Sequence, residues 1–198
     1  MGSYRTAAQA ASVELKIEKS RFIGYAAPTP DDAAVQAFLA DLRREHRRAT
    51  HVCFAYRLGD GPGAVIYFSD HGEPAGTAGK PILGAILRRD LTDVTVVVVR
   101  YFGGRKLGVR GLIEAYGTAA GAALEAAGVE VRRRMVSLRV ACAHPRFSAL
   151  NRLIQQSGGE VSSPAYDARQ ASAEVRVPVE AEPALRAALA ALPAEILD

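Results

Sequence analysis

The chain has 198 residues, 49% hydrophobic and 23% charged, a balance that suits one medium domain or two small ones and excludes a disordered chain. No apolar run approaches the roughly 18 residues that a membrane span needs, and Met1-Gly2-Ser3-Tyr4-Arg5 has no apolar stretch behind it, so neither a transmembrane protein nor a secretory leader is expected. A formal charge of +4 is too mild to establish a nucleic-acid partner, and two distant cysteines, Cys53 and Cys142, make no disulfide framework and point to a reducing cytoplasm.

Val13, Leu15 and Ile17 alternate with Glu14, Lys16 and Glu18, which predicts a half-buried strand. Lys19-Ser20 reads as a turn and 21–27 as the returning strand. Asp31-Asp32 put negative charge on a helix start, and Val35, Phe38, Leu39 and Leu42 follow at helical spacing. Strands are predicted at 52–58 and 64–68 around the turn Gly59 to Gly63. A glycine-rich stretch, Gly72 to Gly79, leads into a short apolar helix with Ile82, Leu83, Ile86 and Leu87. The run Val94 to Val99 is a strand buried on both faces. It empties into Arg100-Tyr101-Phe102-Gly103-Gly104-Arg105-Lys106-Leu107-Gly108, and an alanine- and glycine-rich helix follows over 109–127, stopped by Gly128.

The pattern then restarts. Val136, Leu138, Val140 and Cys142 alternate with polar or small residues, and Pro145 opens a helix ended by Gly158-Gly159. Strands near 160–166 and 171–179 follow, then a helix from Pro183 and an edge strand at Ile196-Leu197. This βαββαβ order in the last 70 residues is the ferredoxin-like arrangement. The fold class expected is α+β in two domains, 1–128 and 129–198.

Two segments carry the chemistry, Ser69 to Pro81 and Arg100 to Gly111. Glycines beside helix starts let a backbone come close to a guest, and free N–H groups there favour an anion. Thr77 is placed to cap the first helix, and Lys80, Arg105, Lys106 and Arg110 supply positive charge. Phosphate is the natural guest. The alternative is that the glycines only make tight turns. Pro74 and Pro81 stand where a Walker loop needs glycine and Ser or Thr, and Arg105-Lys106 break a dinucleotide fingerprint. Tyr67 removes the nucleophile elbow. The four histidines show no zinc spacing, so no metal and no cofactor are expected, and Cys53 reads as a small core residue. The arginines at 43, 44, 47 and 48 suit a helix C-terminus, and Arg132-Arg133-Arg134 suits a linker. Gly117 and Gly121 are expected to let their helix pack closely on the sheet.

The segments Lys19-Ser20-Arg21-Phe22-Ile23, Ala49-Thr50-His51, Ser69-Asp70-His71-Gly72-Glu73-Pro74 with Gly76-Thr77-Ala78-Gly79, and Arg100-Tyr101-Phe102-Gly103-Gly104 with Lys106-Leu107-Gly108 together resemble the signatures of the IMPACT-type (YigZ-like) family. The resemblance implies a first domain of the ribosomal-protein-S5 second-domain type and a ferredoxin-like second domain similar to those of elongation factors. It also implies translation regulation, which eukaryotic relatives exert through partners of a stress kinase. Two positions depart from the family pattern: Arg110, where glycine is common, and Glu114, where arginine is common.

The leading expectation is a cytoplasmic, translation-associated protein that binds RNA or the ribosome, with no membrane contact. Arg21, Lys80, Arg100, Arg105, Lys106 and Arg110 would meet phosphates, with Gly76, Thr77, Gly103 and Gly104 shaping the backbone around them. An enzyme acting on a small phosphorylated molecule, with Asp70 or Glu73 as base, is the alternative; no nucleophile constellation accompanies those acids. A protein-interaction module with a protein partner is the third reading.

Overall fold

The computed structural model describes every residue except Met1, Pro193 and Asp198. In chain order the elements are β1 (Ser3–Ala7), β2 (Ala11–Ile17), β3 (Ser20–Pro28), α1 (Asp32–Glu45), β4 (His51–Leu58), β5 (Val65–Ser69), α2 (Gly79–Leu87), β6 (Val94–Tyr101), α3 (Gly108–Ala127), β7 (Val129–Arg133), β8 (Met135–Ala143), α4 (Phe147–Gln156), β9 (Glu160–Tyr166), β10 (Gln170–Pro178), α5 (Glu182–Ala191) and β11 (Glu195–Leu197). They form two compact units. One is Tyr4–Arg132; the other runs from Arg133 onward and includes Ser3.

The first unit is built on a sheet of order β2-β3-β6-β4-β5 whose neighbours are all antiparallel. The β-branched composition of β6 follows from its central place. Val96 and Val98 pack with Phe22, Cys53 and the residues of α2 and α3 on one face. Val97 and Val99 pack with Ile23, Phe54 and the α1 residues Val35, Leu39 and Leu42 on the other. Asp31 caps α1, accepting the Ala34 N–H at 2.8 Å. The helix ends at buried His46, whose ring bridges the hydroxyls of Tyr25 (2.7 Å) and Tyr101 (2.9 Å).

The small residues of α3 divide their work differently from the expectation. Ala119 and Ala123 face the sheet, where a Cβ on Gly24 of β3 would collide with the Ala119 carbonyl. Gly117 and Gly121 face α2 instead: Gly117 lies beside Pro81, and the Gly121 carbonyl accepts a hydrogen bond from Arg89 at 3.2 Å.

Gly128 ends α3, and the chain runs directly into β7, which pairs with β1 in a two-stranded ribbon. Neither strand is legible in the sequence, and two of the arginines read as linker charge, Arg132 and Arg133, belong to β7. In the second unit the order β11-β8-β10-β9, antiparallel throughout, with α4 and α5 between strands, is the ferredoxin-like βαββαβ arrangement. Its core joins Leu138, Val140, Val175 and Val177 to Leu150 and Ile154 of α4 and Leu185 and Leu189 of α5.

Candidate functional site

The loop from β5 to α2 contains the glycines that suggested an anion site, and an anion is there. It is the chain's own Asp70. Its Oδ2 accepts the Gly76 N–H at 2.8 Å, and its Oδ1 accepts those of Ala78 (3.0 Å) and Gly79 (2.8 Å). Gly76 turns its N–H inward at φ +77, a conformation that glycine adopts without strain. Burial pushes the Asp70 carboxyl up, but the three N–H groups and the charge of Lys80 outweigh it, and the net shift is below the ordinary carboxylate value. Thr77 is not the cap; it is buried, and its hydroxyl donates to the Pro74 carbonyl at 2.7 Å. Gly76 and Thr77 therefore leave no open N–H cradle for an external phosphate.

A second motif charge is also consumed internally. Arg100 is 4% exposed on central β6. Its Nη1 donates to Glu73 Oε1 at 2.6 Å, and the same oxygen accepts the Tyr116 hydroxyl at 2.8 Å. Arg100 Nη2 reaches Ser20 Oγ at 3.4 Å, and the guanidinium lies 5.3 Å from the Phe22 ring and 5.4 Å from the Phe102 ring. Arg100 is thus buried and paired with Glu73, its Nε without a hydrogen-bond partner, and is not presented at the surface where the phosphate contact expected of it would lie. Gly103 likewise serves the interior. A Cβ there would strike the carbonyl of Lys19, so the glycine permits the β2–β3 turn to lie against this loop.

Around this ion pair the remaining motif residues lock neighbouring segments together. The Phe102 N–H donates to Thr50 Oγ1 at 3.0 Å, and His51 donates from Nδ1 to the His71 carbonyl at 2.9 Å. His71 Nδ1 accepts the Val52 N–H at 3.1 Å, which puts its remaining proton on Nε2. Burial, then Arg43 and His51, hold the His71 imidazole below its ordinary value, in keeping with a neutral ring. The Cys53 thiol donates to the Asp70 carbonyl at 2.9 Å and lies 3.5 Å from Tyr116 Oη. Burial pushes that thiol up to about 12, so it is no nucleophile. Ser20 and His51 stand in the motif segments, but nothing local in the sequence assigns them these partners, and Cys53 reads there only as a core residue. Tyr116 is missed by the sequence reading, although it is the lone aromatic of an alanine- and glycine-rich helix.

What stays outside is the cationic rim. Arg21 pairs with Glu14 at 3.2 Å and lies over Tyr101; Arg105 pairs with Glu18 at 2.7 Å. Arg110 pairs with Glu114 at 3.1 Å, so the two departures from the family pattern compensate each other across one helical turn. Arg110 has an ordinary negative φ and needs no glycine. Lys80 and Lys106 are exposed and make no ion pair among the described residues. The α3 helix starts between Lys106 and Arg110 with Leu107 at its N-cap, no side-chain cap and no acid in its first turn. Its first N–H groups therefore have no side-chain cap, and a Cβ on Gly104, in the loop before it, would meet no atom within 4 Å. A groove of about 440 Å³ runs alongside, lined by Ile17, Glu18, Arg105, Lys106, Gly111 and Glu114 among others. Among the described residues no three His, Cys, Asp or Glu side chains converge as a metal site would require, and no helix is long and apolar enough to cross a membrane.

Residues 18–124 match the Impact N-terminal domain. The chain is 36% identical over 169 residues to the IMPACT family member YigZ of Escherichia coli (strain K12), covering 85% of this chain and 83% of that protein. It is 42% identical over 133 residues to the IMPACT family member YvyE of Bacillus subtilis (strain 168), covering 67% and 61% respectively. A crystal structure of a hypothetical protein superposes with a TM-score of 0.77 at 33% identity, covering 100% of this chain and 97% of the other.

Proposed function

The chain belongs to the IMPACT family, and on that premise we propose that it is a cytoplasmic, translation-associated protein that binds RNA, including the RNA of the ribosome, through its phosphates. In this reading residues 1–128, of the S5 second-domain type, carry the contact. The observation that supports it is the open start of α3, where uncapped N–H groups lie beside Arg105, Lys106 and Arg110 and no acid occupies the first turn. Helix N-termini flanked by cations are natural phosphate sites. The ion pairs of Arg105 and Arg110 are exposed and weakly held, so a phosphate can replace Glu18 or Glu114 at little cost. The translational setting comes from the family resemblance. The acids of the enzymatic alternative do not line this groove, since Asp70 and Glu73 are both bonded inside the protein.

The test is co-sedimentation with ribosomes over a salt series, for the wild type and for Arg105→Glu/Lys106→Glu. The wild type is expected to pellet at low salt and to be released as salt rises, with a slope of about −0.7 to −0.9 per phosphate contact. The double variant is expected to stay in the supernatant. Binding that ignores salt, or a variant that pellets like the wild type, would refute phosphate contact at this surface.

A further inference from the structure

The five-stranded sheet has two edges of opposite character. At one, β2 alternates Glu14 and Lys16 with its apolar residues, and Glu14 bonds to Arg21 of β3. Charges along an edge discourage another strand from adding to it. At the other, β5 reads Val65-Ile66-Tyr67-Phe68-Ser69, with no charge, no proline and no glycine. Val65 is 54% exposed, Ile66 45% and Tyr67 53%. Successive side chains of a strand point to opposite faces, so the first three residues of this edge are exposed on both, while Phe68 packs against the core. These are also residue types that pair well in sheets.

The chemistry of the edge selects its occupant. Arg57, opposite Ile66 in the register with β4, is bonded to Asp90 at 3.2 Å and so offers no cation to steer an acidic segment. A strand without charge is complementary to itself, because a two-fold antiparallel pairing sets no like charges opposite one another. The aromatic rings favour the same partner. Tyr56 of β4 and Tyr67 of β5 are cross-strand partners with ring centroids 5.8 Å apart and planes 26° apart, and Phe54 stacks on Tyr67 at 5.9 Å. The stack stops at Tyr67, which has no strand beyond it.

We propose that β5 is a self-association edge: two copies of this chain pair β5 antiparallel about a two-fold axis at Tyr67, joining their sheets into one. In that register Tyr67 meets Tyr67 of the copy, Ile66 meets Phe68 and Val65 meets Ser69. The tyrosine stack then runs unbroken from one β4 to the other. The exposed apolar edge is buried and its outward backbone groups gain partners.

Sedimentation velocity over a wide concentration range tests this. The wild type is expected to move from 21.0 kDa to twice that mass as concentration rises. Ile66→Lys, which sets a cation against the copy, is expected to stay at 21.0 kDa while keeping the wild-type circular dichroism. Tyr67→Cys is expected to form a disulfide-linked dimer under a mild oxidant, whereas the wild type, with Cys53 and Cys142 both buried, does not. If Ile66→Lys fails to fold, the Tyr67→Cys cross-link decides. A wild type that remains monomeric throughout, even one that takes up an added extended peptide, overturns the proposal. So does a dimer that Ile66→Lys leaves intact, or a Tyr67→Cys dimer that does not cross-link. Failure of RNA binding would leave it untouched.

Discussion

Two helices of the first unit begin after glycine-rich turns, and they treat their first N–H groups in opposite ways. At α2 the carboxylate of Asp70, nine residues back from Gly79, receives three of the loop's and helix's N–H groups. At α3 no side chain caps the helix and no acid stands in its first turn, while Arg105 and Lys106 precede it. The two starts look alike as sequence: glycines, a lysine and then an apolar helix. The difference teaches that such a loop marks a ligand site only where the chain has not supplied its own anion. The motif arginines divide the same way. Arg100 is neutralised inside by Glu73, whereas Arg105 stands in water on a replaceable partner.

The largest break in this comparison is expected from Glu73→Ala. It leaves Arg100 buried without its counter-ion, a loss of about 3–5 kcal/mol. Urea unfolding reads this directly, and Arg100→Met/Glu73→Leu should recover most of it, since an apolar pair removes both charges together. An unchanged midpoint for Glu73→Ala would show that the pair is not what ties these loops together.

A smaller effect is expected at Asp70, where loss of the cap in Asp70→Ala should cost about 0.5–2 kcal/mol. The variant turns the start of α2 into an open one like that of α3, so added sulfate should stabilise Asp70→Ala more than the wild type, in which only the α3 start is open. The pH dependence has a definite sign. The folded carboxyl sits below its ordinary 3.8, so its contribution is complete above about that pH and is lost as pH falls through the lower folded value. The stability gap between the wild type and Asp70→Ala should accordingly narrow in acid below that point. A gap that stays constant down to the acid transition would rule out the ionised cap.

The smallest effect on folding is expected from Arg105→Glu/Lys106→Glu. Its urea midpoint should match that of the wild type, because both side chains are exposed. Only the binding to RNA should be lost. A large shift in midpoint would mean that this rim is as structural as Glu73 and Arg100.

Much of the fold is legible in the residues because its signals are local. The alternation at Val13, Leu15 and Ile17 is β2, the valine run is the doubly buried β6, and the spacing of Leu150 and Ile154 is the inner face of α4. The strands β1 and β7 escape this reading. Each is five residues long, and their pairing joins the two ends of the first unit. The site was legible only as a list of residue types. Glycines, Asp70, Glu73 and Arg100 stand out in the motifs, but nothing local says that the acids face inward.

The sequence by itself determined the periodicities, the helix boundaries near Asp31 and Gly128, the ferredoxin-like order of the second half and the family signatures, since each rests on neighbours within a few positions. Only the tertiary structure decided which charges are spent. Glu73 meets Arg100 across 27 positions and Tyr116 across 43, and Arg100 meets Ser20 across 80. An ion pair depends on convergence in space and on the loss of water around it. Packing of α3 and β3 against β6 therefore selected the interior cations and left Lys106 outside.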